Sequence, residues 1–83
     1  MKVAAEMSLP EGKVSIFRMN NKFILKIENQ HLEQTYKISE MDFDLTSIEE
    51  VEKLLDAPFL QSLLENFQKM NLGLHETLTR HGF

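Results

Sequence analysis

Residues 13–28 read KVSIFRMNNKFILKIE, and the two asparagines at the centre, Asn20 and Asn21, decide the fold. Asparagine tolerates positive φ, which both central residues of a type I′ hairpin loop require. With that loop at the tip, residues whose numbers sum to 41 lie opposite one another. One face then receives Val14/Ile27, Ile16/Leu25 and Arg18/Phe23. The other receives Lys13/Glu28, Ser15/Lys26, Phe17/Ile24 and Met19/Lys22. The first is apolar except for Arg18 and reads as the core face; the second mixes charge with apolar groups, as a solvent-facing side does. A slip of one residue would bury lysine, so the register is well specified.

Working towards the C-terminus, residues 32–38 (LEQTYKI) read as a third strand. The simplest loop is Asn29-Gln30, which pairs Ile27 with Leu32 and Lys26 with Glu33. A loop built from Gln30-His31 keeps the same faces but opposes Glu28 to Glu33, and the first is preferred. After Ile38 the apolar phase slips. Met41, Phe43 and Leu45 fall on the opposite parity, so a bulge or turn at Ser39-Glu40 is expected to reset it. Residues 41–45 then form a short extended segment, or a loop pinned by three apolar anchors.

The remainder is helical. Thr46 and Ser47 each have a glutamate three residues on, a doubled capping-box signal. Ile48, Val51, Leu54 and Leu55 follow at helical spacing. Pro58 ends that helix by pushing Ala57 from the α region, and it starts the next, because proline suits a first turn. Phe59, Leu60, Leu63, Leu64, Phe67 and Met70 form an apolar stripe on this second helix. Phe59, Leu63 and Met70 in that stripe are expected to exceed what a three-stranded sheet can cover. Gly73 is read as the helix stop, and Leu74 to His81 as a last short helix with Leu74 and Leu78 facing inwards.

The fold class is therefore α+β: a three-stranded antiparallel meander followed by two or three helices packed on one sheet face. Residues 1–12 are an N-terminal segment, either flexible or an extra strand that makes the sheet four-stranded. Residues 13–83 form a single α+β domain. The chain has 83 residues, of which 42% are hydrophobic and 27% charged, and it has no cysteine. A chain this short has a core that is only just sufficient, and its stability cannot come from disulfides or a thiolate metal site. That favours a cytoplasmic protein. Met1 to Pro10 is neither a signal peptide nor a membrane span, since Glu6 interrupts it and no apolar run follows.

The net charge of −4 is unevenly placed: residues 13–38 carry +3 and residues 39–69 carry −6. The sheet half is basic and the helical half acidic, which permits basic-to-acidic self-association.

The chemistry-bearing residues fit no reaction. His75 and His81 are six apart, about 240° round a helix, and cannot share one metal from it. Glu40, Asp42, Asp44, Glu49 and Glu50 lack calcium-loop spacing, and carboxylates near a helix N-terminus already complement its dipole. The serines lie beside no histidine or glycine-rich elbow, and glycine occurs only at positions 12, 73 and 82, too sparsely for a phosphate loop. No catalytic residue, cofactor or metal ligand is assigned, and the chain is not expected to be an enzyme.

One surface has the composition of a contact. The outer sheet face gathers Phe17, Met19 and Ile24 amid Lys22 and Lys26, and these five are the candidate partner-binding residues. The expected function is a small non-enzymatic interaction or regulatory module, homodimeric or bound to another protein. The alternative is single-stranded nucleic-acid binding through the same basic face. Small-ligand carriage between sheet and helices would need a cavity that few residues are available to enclose.

Overall fold

The computed structural model describes residues 3–83. Four strands, β1 (Val3–Leu9), β2 (Gly12–Met19), β3 (Lys22–Glu28) and β4 (Glu33–Ser39), form one antiparallel meander in chain order. Three helices follow: α1 (Glu40–Phe43), α2 (Ile48–Glu52) and α3 (Ala57–Arg80). The α+β reading holds, in its four-stranded form.

The central hairpin follows the count. Asn20 and Asn21 have φ of 52° and 61°, and every pair from Lys13/Glu28 to Met19/Lys22 is present. Val14, Ile16, Phe23, Leu25 and Ile27 are buried on one face, and Val51, Leu63 and Phe67 cover them from the helical layer. Arg18, the charged exception on that face, has its guanidinium 5.1 Å from the Phe23 ring centroid and pairs with Glu40. A cation at the sheet's rim is accommodated by an aromatic face and a carboxylate together.

Residues 3–9 are the extra strand. Ala5, Met7 and Leu9 alternate towards the core beside Ile16 and Val14. The strand lies beside β2 and leaves the outer sheet face uncovered.

Four expectations are corrected. The β3–β4 loop takes the other register, with Glu28 opposite Glu33 and Leu25 opposite Tyr36. The Asn29 side chain favours it by accepting from the amides of His31 and Leu32 at 3.4 and 3.1 Å, an Asx turn around Gln30-His31 that sets Asn29 opposite Leu32. Lys26 offsets the opposed glutamates, lying 3.9 Å from Glu28 and 3.5 Å from Glu33.

Residues 40–43 are helical rather than extended. Ser39 caps α1 by accepting from the Asp42 amide, and Asp44 stops it at φ 53°. This helical turn is the phase reset expected after Ile38.

The first of the two main helices is short, because Leu54 and Leu55 already lie beyond its end at Glu52. Asp56 then caps α3 by accepting from the Phe59 amide at 3.0 Å, and both Ala57 and Pro58 lie in its first turn, so Pro58 neither pushes Ala57 from the helix nor ends the one before it.

Gly73 does not stop α3. The helix runs unbroken for 24 residues, so the expected last helix is its continuation, and Leu74 and Leu78 are exposed. A glycine ends a helix only where the chain takes the left-handed conformation; Gly73 has no positive φ, unlike Gly82 at 85°.

Candidate functional site

Three surfaces have the composition of a contact, and each arises from how an element is cut to length or left uncovered. The first is the open sheet face. Phe17 pairs with Val3 on one side and Ile24 on the other, and Ile24 pairs with Lys37, so one row crosses all four strands. Phe17, Ile24 and Lys26 are half-buried within this face, Lys22 is exposed, and Met19 is 42% exposed. All five sequence-chosen residues therefore share the face assigned to them. Two of its cations are engaged: Lys26 lies between Glu28 and Glu33, and Lys13 is 3.7 Å from Glu6.

The second surface is the far half of α3. A helix of 24 residues is about 36 Å long, while strands of seven or eight residues span about 25 Å. The helix must overrun the sheet, and the molecule measures 47 Å along its longest axis. Gln34 Nε2 donates to the Leu63 carbonyl at 2.9 Å in the covered part, and the His31 ring, 3.2 Å from Asn71 Oδ1, marks where the helix leaves. Beyond Asn71 every residue is exposed. Met70, Leu74 and Leu78 nevertheless stay within about 60° of Leu63 round the helix, so the stripe that forms the core continues into solvent. Of the three residues expected to exceed the sheet only Met70 is exposed, at 36%; Leu63 is fully buried and Phe59 half-buried, while Leu74 is 43% exposed.

The third surface was not singled out from the sequence. A groove of about 870 Å³ lies between β4 and the helical layer, walled by Tyr36, Ile38, Phe43, Leu54 and Phe59, with Thr35 and Lys37 at its β4 side. The Tyr36 and Phe59 rings meet edge to face at 5.4 Å. Phe43 is 67% exposed, and Met41 beside it is 81% exposed. Four separate segments build this groove, Leu25 of β3 among them, so no local pattern announces it.

The Glu50 carboxylate is occupied structurally. Glu50 collects the Thr46 hydroxyl at 2.6 Å, the Thr46 amide at 3.1 Å and the Ser47 hydroxyl at 3.3 Å, while its own amide donates to Ser47. These bonds, the Thr46 hydroxyl foremost, hold its carboxyl below the ordinary value of 4.5. Thr46 and Ser47 thus serve one capping arrangement around Glu50, rather than two. Among the described residues, no three His, Asp or Glu side chains converge as a metal would require, and no helix is long and apolar enough to cross a membrane.

No family model, no curated protein and no solved structure matches this chain.

Proposed function

We propose that this chain is a small, non-enzymatic protein-interaction module, cytoplasmic and homodimeric. The observation that carries the reading is the overhang of α3, where Met70, Leu74 and Leu78 continue the core stripe with nothing beneath them. A continuous apolar stripe on a helix is stable in water when another surface covers it. Exposed Met41 and Phe43 add apolar surface at the opposite end of β4.

The reading is tested by light scattering and sedimentation equilibrium across a micromolar concentration series. A dimer is expected; a monomer throughout would remove the homodimeric part of the proposal.

Single-stranded nucleic-acid binding draws less support from the open face. Phe17 is its one aromatic, and Lys13 and Lys26 already face glutamates. A salt-sensitive shift with an oligonucleotide, lost on Lys22→Glu with Lys26→Glu, would reinstate that alternative.

A further inference from the structure

The two free edges of the sheet are not alike. On β1 the register slips at Ala4, between the pairs Val3/Phe17 and Ala5/Ile16, and Pro10 follows the strand. Bulges and prolines turn added strands away from a sheet edge. β4 has neither, and its seven residues pair with β3 without interruption.

The phase of the β4 ladder is fixed by a single bond just past its end, where the Glu40 amide donates to the Asn21 carbonyl at 3.0 Å. Amides in an antiparallel strand alternate between its two sides. Even-numbered residues of β4 therefore bond to β3. Glu33, Thr35, Lys37 and Ser39 turn their amides and carbonyls outward, to an edge with no strand beside it among the described residues.

Resting on the homodimeric reading above, we infer that this edge takes the β4 strand of a second copy, antiparallel about a two-fold axis through Thr35. Residue numbers across the axis then sum to 70. Thr35 faces its own counterpart, a favourable cross-strand pair. Glu33 faces Lys37 of the second copy, and Lys37 faces its Glu33. Slips that oppose Glu33 to Glu33, or Lys37 to Lys37, place like charges together. The charges that would otherwise guard the edge thus select one register. Among the described residues, Lys37 has no ion-pair partner within its own chain.

The same axis places the two exposed apolar groups. At this register Ser39 of the second copy comes level with His31, whose ring is bonded to Asn71 at the point where α3 leaves the sheet. Met41 and Phe43 of the second copy follow Ser39 in the α1 turn, at the end of the shared edge where α3 leaves the sheet. The added strand would close the β4 side of the groove. A self-complementary contact of this kind closes at two copies.

The chain has no cysteine, so oxidative cross-linking reads the geometry directly. Thr35→Cys is expected to give a covalent dimer in high yield, and Ser8→Cys, exposed on the opposite edge strand, is expected to give little. Lys37→Glu should weaken the dimer about tenfold in sedimentation equilibrium, Glu33→Lys likewise, and the double swap should restore it. A dimer that forms in the wild type but resists cross-linking at position 35 and ignores both charge reversals overturns the β4 geometry and leaves the homodimer standing. A wild-type monomer at every concentration removes both.

Discussion

The side-chain amide of Gln34 donates to the backbone carbonyl of Leu63 at 2.9 Å, in the interior between β4 and α3. Its oxygen accepts from the Tyr36 hydroxyl at 2.8 Å and the Asn66 amide at 3.3 Å. One buried glutamine, 8% exposed, therefore ties strand to helix and sets where along β4 the helix lies. Apolar packing alone specifies this weakly, because a stripe of leucines can slide along a sheet.

Gln34→Ala is expected to destabilise the fold by about 1–3 kcal/mol, because it leaves the half-buried Tyr36 hydroxyl without its acceptor as well as removing the bond to Leu63. Urea unfolding with an unchanged m-value and a lowered midpoint would show this. An unchanged midpoint would mean that water replaces the glutamine freely and the tie does not matter.

Two glycines should respond oppositely to alanine. Gly12 has φ of 150°, and a Cβ there would lie 2.4 Å from the Glu28 carbonyl oxygen. Gly12→Ala forces the β1–β2 turn away from the end of β3 and is expected to cost about 3 kcal/mol. Gly73 sits inside α3 with nothing within 4 Å of the added carbon. Gly73→Ala should stabilise by about 0.5–1 kcal/mol, the ordinary cost of glycine within a helix. Thermal melts of the two variants would separate them; a destabilised Gly73→Ala would show that the helix bends there.

These residues also show which parts of the fold the sequence made legible. Asn20-Asn21 fixes a register because a slip of one residue exchanges the two faces, and no competing turn offers the same pattern. Asn29-Gln30-His31 offers two registers that keep the same faces, and the choice rests on side-chain bonds from Asn29 that no periodicity reports. Ser39 and Asp56 are helix caps, but each could equally serve a turn. Gly73 carries the composition of a stop without the backbone of one. Phe17 and Ile24 were assignable to the open face by parity, whereas the groove beside Tyr36 needs Phe43 and Phe59 brought together by tertiary packing.

The carboxyl of Glu50 gives the α2 capping site a pH dependence of defined sign. Its value is lowered by hydrogen bonds that form only in the folded chain, so its contribution is fully present above the ordinary value of 4.5 and is lost as pH falls through its folded value. Wild type should therefore lose stability across that acid range more steeply than Glu50→Gln, which cannot titrate. Urea midpoints of both proteins over an acid series would check it, and parallel curves would show that the bonds from Thr46 are not kept in solution.

Leu63 and Leu74 lie about 20° apart round α3, yet the first is fully buried and the second is 43% exposed. Leu63→Ala is expected to cost about 2–5 kcal/mol at any protein concentration, since it opens a cavity beneath the helix. Leu74→Ala should fall within about 0.5 kcal/mol of wild type in dilute solution, where the overhang is solvated. At concentrations that favour the dimer it should become destabilising, because association contributes to apparent stability only where the contact is made. Urea midpoints measured at nanomolar and at high micromolar protein would resolve the two leucines. A Leu74→Ala midpoint that does not move with concentration would separate the overhang from the self-association surface.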